Sequence, residues 1–181
     1  MTLHPPRPRL VTLRAFEDGD ARLHAMIPPS AEIARMQGGG GNAFAGPDPE
    51  RSQRWLAAMR AEPYARMIET DGRAVGHIRL HSHVRADRRA RLAIALFTEA
   101  DLGRGIGRRA IAQALDHAFG AMDLHRVELR VLSGNTRAIR CYAACGFVHE
   151  GTAREAAFID GRWHDERIMA ILSHEHAVRT A

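Results

Sequence analysis

The chain has 181 residues, 45% of them hydrophobic and 26% charged, enough to bury the core of one domain. Its formal net charge of +5 rests on arginines spread through every segment, with no basic helix and no aromatic ladder, which argues against a nucleic-acid surface. No run approaches the roughly 20 apolar residues of a membrane span, the start Met1-Thr2-Leu3-His4-Pro5-Pro6 lacks an apolar signal stretch, and no His/Cys set has metal-ligand spacing; a cytoplasmic protein without a metal is expected.

Hydropathy patterns and turn residues divide the chain into elements. Residues 10–16 read as a first strand, and 18–26 as the start of a helix that fades near Pro28-Pro29. Gly38-Gly39-Gly40-Gly41-Asn42 reads as a flexible loop, and Asp48-Pro49-Glu50 opens a helix over 51–61 with proline in its first turn. Residues 64–70, the turn Asp71-Gly72 and residues 73–81 form a hairpin. A fourth strand over 91–97 alternates Ala93 and Ala95 with larger residues. Residues 108–119 form an amphipathic helix with Ile111, Ala114, Leu115 and Ala118 on one face. A fifth strand over 127–132, a helix opened by Asn135, and a hairpin of 147–159 and 163–172 across Asp160-Gly161 complete the pattern. Mixed strands around two central helices indicate an α+β fold with a mostly antiparallel sheet of about seven strands and about four helices. No repeat or linker divides residues 1–181, so one domain with a core over about 9–173 is expected.

The chemistry concentrates at the turn after the fourth strand. Leu102-Gly103-Arg104-Gly105-Ile106-Gly107-Arg108-Arg109 joins an apolar strand to a helix start. Glycines let a ligand approach the backbone, the first helical N–H groups have no intrahelical partner, and the dipole favours negative charge, so the segment reads as a pyrophosphate cradle. A Walker A loop needs a Lys-Ser or Lys-Thr pair that is missing, and a dinucleotide fingerprint needs a third glycine where Arg108 stands. One helix and one strand later comes the run from Asn135 to Phe147, Asn-Thr-Arg-Ala-Ile-Arg-Cys-Tyr-Ala-Ala-Cys-Gly-Phe. Asn135 suits a helix start, Ala138, Ile139 and Tyr142 share one face, and Gly146 suits a left-handed stop. Cys141 and Cys145, four apart on that helix, read as reduced packing thiols.

These two motifs, in this order, resemble the Gln/Arg-x-x-Gly-x-Gly/Ala loop and the Asn-x-x-Ala-Ile-x-x-Tyr-x-x-x-Gly-Phe signature of the GNAT acetyltransferase superfamily, with Leu102 departing at the first loop position. The resemblance extends to the branch of ribosomal-protein, polyamine and amino-acid acetyltransferases and covers nearly the whole chain. It implies acetyl-CoA as co-substrate, held by Gly103, Arg104, Gly105, Ile106, Gly107 and Arg108, by the backbone of Leu96, Phe97 and Thr98 on the exposed edge of a splayed fourth strand, and by Asn135. Tyr142 is the implied acid for the leaving thiolate, and Asn135 a pantetheine-side or water-ordering contact. Many superfamily members pair through their C-terminal strands, which makes a homodimer an expectation here.

The base and the acceptor are less sharply marked. Glu128 shares a strand face with Arg130 and is either a base or that arginine's ion-pair partner. His77 and His81 share a face of the third strand and offer a proton relay. Asp160, Asp165 and Glu166 are further acids, and Asp165 either meets a cationic acceptor or braces its hairpin. Related ribosomal-protein enzymes often carry a glutamate five residues before the motif asparagine; here Arg130 stands there, which counts against that acceptor. The segment with His24, Met36, the glycine run, Phe44 and Trp55 should set acceptor identity, and its few carboxylates, Glu32, Asp48 and Glu50, disfavour a polyamine. The expected acceptor is a small-molecule primary amine, an amino acid or amino-group compound; the alternatives are a protein N-terminus and a non-catalytic acyl-CoA sensor module.

Overall fold

Seven strands hydrogen-bond into one sheet whose single parallel junction falls in its middle. The computed structural model describes residues 10–27, 30–38 and 48–180; the Pro28-Pro29 pair, residues 39–42 of the glycine run and Phe44 lie outside them. In chain order the elements are β1 (Val11–Arg14), α1 (Gly19–Met26), α2 (Ala31–Met36), α3 (Pro49–Ala61), β2 (Tyr64–Thr70), β3 (Arg73–Val84), β4 (Arg89–Leu96), α4 (Ile106–Phe119), β5 (Arg126–Leu132), α5 (Thr136–Ala144), β6 (Val148–Ile159), β7 (Arg162–Leu172) and α6 (Ser173–Thr180). The sheet order is β1-β2-β3-β4-β5-β7-β6, antiparallel everywhere except between β4 and β5. The fold is α+β, as expected.

Helix α4 buries Ile106, Ala110, Ile111, Ala114, Leu115 and Ala118 against Ile78, Leu80, Leu92, Val127 and Leu129 of the sheet. Each fully buried leucine or isoleucine contributes roughly 1.5–3 kcal/mol, so this face is the main anchor of the helix. Side chains alternate across a strand, so His77 leaves the opposite face from Ile78 and meets Trp55 of α3 there. Thus α4 covers one face of the central strands, and α3, packed on α1, covers the other.

The described residues hold six helices, two more than the periodicity suggests. Helix α2 is six residues long with no buried position, so it leaves no apolar stripe to read; its start is held by Ser30, whose Oγ accepts from the Ile33 N–H at 3.1 Å. Helix α6 follows β7 directly and is polar along most of its length.

Candidate active site

Strands β4 and β5 pair only from Arg89 to Arg91 against Arg126 to Glu128. Beyond that point β4 stays with β3 as far as Leu96, while β5 stays with β7 as far as Leu132, and the two diverge. The divergence opens a cleft of about 720 Å³ walled by β3, β4, β5, α2, α5 and the start of α4. Backbone groups alternate sides along a strand. The Phe97 N–H donates to the Val75 carbonyl at 2.8 Å, toward β3, so the N–H of Leu96 is the group directed at the cleft. Phe97 therefore does not offer its amide to a ligand, contrary to expectation. Its ring instead joins His24, Trp55 and His77 in an aromatic cluster, where His24 stacks on Trp55 at 4.1 Å between centroids.

The glycine turn delivers a bare helix end to this cleft. Gly105 caps α4 at φ 75° and ψ 2°, a left-handed conformation that costs other residues about 1 kcal/mol or more. Gly105 has no side chain to cap the helix and no acid stands in its first turn, which leaves the positive dipole end without a local carboxylate. Gly103, Gly105, Ile106, Gly107 and Arg108 line the cleft, whereas Arg104 stands off its wall. A Cβ at Gly103 or Gly105 would touch nothing within 4 Å, which leaves room for a ligand against the backbone.

Asp101, with 1% exposure, pins the turn from behind. Its carboxylate accepts from Arg73 at 2.6 and 3.1 Å and from the Thr98 hydroxyl at 2.7 Å. Burial alone would raise this carboxyl; the bonds from Arg73 and Thr98 outweigh it and hold the group below the usual range. Thr98 thus braces the loop rather than the cleft, and the Asp101 anchor is a feature the sequence reading did not anticipate.

On the far wall, Asn135 caps α5: its Oδ1 accepts from the Ala138 N–H at 3.1 Å, and its Nδ2 points to the Met36 carbonyl at 3.5 Å. Its side chain joins α5 to α2 and reaches the cleft lining. Seven residues on, Tyr142 also lines the cleft, packed edge-on to Phe147. Its hydroxyl has no hydrogen-bond partner among the described residues, and burial pushes it above the ordinary tyrosine range, so it keeps its proton at neutral pH.

The structure sorts the candidate acids and bases. Glu128 lies off the cleft wall, and its partners are Arg91 at 2.8 Å and Arg126 at 3.3 Å, not Arg130. Burial opposes its ionisation, but the two guanidinium groups prevail and hold it below the ordinary range, which weakens it as a base. Arg130 instead faces Glu166 of β7 at 3.6 Å, and both line the cleft. Asp165 braces its hairpin: Oδ1 accepts from the Glu155 N–H at 2.8 Å. His77 lines the cleft with its Nδ1 sealed from solvent and unpartnered among the described residues. Burial, then Arg79 and His24, push its pKa down to about 3, so it is neutral and weakly basic. His81, bonded through Nδ1 to the Ser82 hydroxyl at 3.0 Å, is shifted down as well, chiefly by burial.

A parallel strand pair that splays beside a bare, glycine-led helix start is the architecture of an acyl-CoA N-acyltransferase. The family description "Acetyltransferase (GNAT) domain" matches residues 10–148, and the chain belongs to that family. It is 40% identical over 78 residues to a spermidine N(1)-acetyltransferase of Vibrio cholerae serotype O1, covering 43% of this chain and 45% of that one. It is 30% identical over 105 residues to a putative ribosomal N-acetyltransferase of Bacillus subtilis, covering 58% and 57%. The matches span about half the length of these curated relatives. Over the whole fold, the crystal structure of Vibrio cholerae spermidine N-acetyltransferase in complex with CoA and spermine superposes with a TM-score of 0.79 at 27% identity, covering 92% of this chain and 98% of that one.

Proposed function

We propose that the protein is an acetyl-CoA-dependent N-acetyltransferase that acetylates a small-molecule primary amine by direct attack within a ternary complex. The observation that carries this reading is the splayed cleft itself, with the glycine-led α4 start at one end and Tyr142 on its wall. Acetyl-CoA supplies the thioester acyl group. The first N–H groups of α4, with Arg108, hold its pyrophosphate, and the β4 edge holds its pantetheine arm. The Leu96 N–H stabilises the oxygen that gains charge as the amine attacks. Tyr142 gives its proton to the departing thiolate. With Glu128 engaged by arginines and His77 made a weak base by burial, the proton of the attacking amine leaves through water toward Glu166, the carboxylate that lines the cleft from β7. The need for acetyl-CoA supports a cytoplasmic location.

The test is release of free thiol from acetyl-CoA by the purified protein in the presence of small amines, with each acetylated product identified by mass spectrometry. Amine-dependent release is expected; a protein that binds acetyl-CoA yet acetylates only peptide N-termini would replace the small-molecule acceptor with a protein one.

We also propose that two copies pair through the C-terminal hairpin. β6 is an edge strand, and at the turn end of the hairpin Phe158 (59%) and Trp163 (60%) are both exposed, their rings 4.9 Å apart between centroids. Light scattering should report twice the chain mass of 20.0 kDa, and the monomer mass for Trp163→Glu.

A further inference from the structure

We infer that the acceptor amine carries an anionic group, such as the carboxylate of an amino acid, and that Arg130 is the residue that binds it. This rests on the acetyltransferase reading and concerns the acceptor half of the same cleft.

Six arginines stand on the cleft wall against two carboxylates, Asp101 and Glu166. Three of the arginines, Arg108, Arg137 and Arg140, come from α4 and α5, the helices beside the phosphate cradle, and match the charge of a CoA. The other three, Arg79, Arg91 and Arg130, rise from β3, β4 and β5 on the sheet face that carries His77, opposite α4. Each of these three has a carboxylate within 4 Å, Glu62, Glu128 and Glu166 in turn. Asp101 is itself engaged by Arg73 at 2.6 Å, so among the described wall residues Glu166 is the carboxylate with no hydrogen bond to an arginine; its ion pair with Arg130 is 3.6 Å long.

No carboxylate side chain is hidden elsewhere. Residues 1–9, 28–29 and 39–47 contain no Asp or Glu, so the segments outside the described residues cannot supply one. Near the acceptor side, Asp18 pairs with Arg60, Asp20 with Arg14, and Glu32 lies between Arg35 and Arg137. A polyamine keeps one or two ammonium groups besides the one that reacts, and among the described wall residues only Glu166 has a carboxylate without a hydrogen bond to an arginine to meet them.

Distances single out Arg130. Arg79 has a carboxylate partner at 2.9 Å and Arg91 one at 2.8 Å, both hydrogen-bonded. Arg130 has Glu166 at 3.6 Å, too long for a hydrogen bond, and its side chain is 45% exposed and lines the cleft. Its planar fork of donors is therefore available to a carboxylate in the two-pronged geometry that makes such pairs strong. Glu166 alongside faces the ammonium end of the same ligand.

The decisive experiment measures kcat/KM with acetyl-CoA for the common amino acids, for the C-terminal amide of each, and for spermidine, in the wild type and in Arg130→Gln. Acetyl-CoA affinity is measured separately by calorimetry. The expected result is that at least one amino acid is preferred over its own amide and over spermidine by about tenfold or more. Arg130→Gln should collapse that preference by raising the amino-acid KM about 10- to 100-fold, with acetyl-CoA affinity unchanged. Spermidine or the amides serving as well as the acids overturns the inference while leaving the transferase reading in place. So does a preference that survives Arg130→Gln, or rejection of the whole panel by a protein that binds acetyl-CoA. Failure to bind acetyl-CoA overturns the transferase reading itself.

Discussion

Gly105→Glu should raise the dissociation constant for acetyl-CoA by more than about 100-fold, as measured by isothermal calorimetry, while the far-ultraviolet circular dichroism of the protein stays native. The backbone at this position is left-handed, so any side chain costs roughly 1 kcal/mol of strain. That cost alone is tolerable, because a Cβ there meets no atom within 4 Å and the core contacts of α4 begin at Ile106. A carboxylate at the cap also satisfies the helix dipole, which favours folding. Ligand binding suffers for the same reason: the glutamate occupies the N–H groups and the positive end that a pyrophosphate needs, and like charges brought together cost several kcal/mol, at 1.4 kcal/mol per tenfold. Gly105→Ala separates the two effects. It carries the strain without the charge and should bind within about fivefold of wild type. Equal affinity in the glutamate variant would place the phosphates elsewhere.

Local signals in the sequence were enough for the parts of the site that lie on one element. The glycine turn, the Asn135 cap and the Tyr142 face depend on neighbours within a few residues, and the structure has Gly105 and Asn135 as the caps of α4 and α5, with Tyr142 inside α5. What depended on lateral pairing was not legible. Strand alternation puts Glu128 and Arg130 on one face, but their partners are set by register across strands: Arg91 comes from the short parallel junction with β4, and Glu166 from β7 opposite Leu132. The same holds for Phe97, whose amide direction follows from its place opposite Val75 on β3. The aromatic cluster draws one residue each from α1, α3, β3 and the end of β4, so no window of sequence contains it. Helix α2 left no trace because it buries nothing.

Tyr142→Phe should lower kcat about 100-fold and leave acetyl-CoA affinity within about twofold of wild type, with kcat read from steady-state thiol release and affinity from calorimetry. The substitution is a clean one. The ring keeps its edge-on contact with Phe147 at 5.9 Å, and the hydroxyl has no partner among the described residues whose loss would leave a buried group unsatisfied. The folded state should therefore be no less stable. The effect falls on the step in which the thiolate departs, since burial keeps the Tyr142 proton in place at neutral pH and makes it available for transfer. Because its pKa is raised, the wild-type kcat should not decline across the neutral range through loss of this proton; the alkaline limb due to Tyr142 lies above the ordinary tyrosine value. A module that only senses acyl-CoA needs the phosphate cradle but not this hydroxyl, so it would show intact binding and no turnover in either form. Turnover present in the wild type and undiminished in the phenylalanine variant would instead leave the enzyme standing and hand the proton donation to water or to the Cys141 thiol on the same wall.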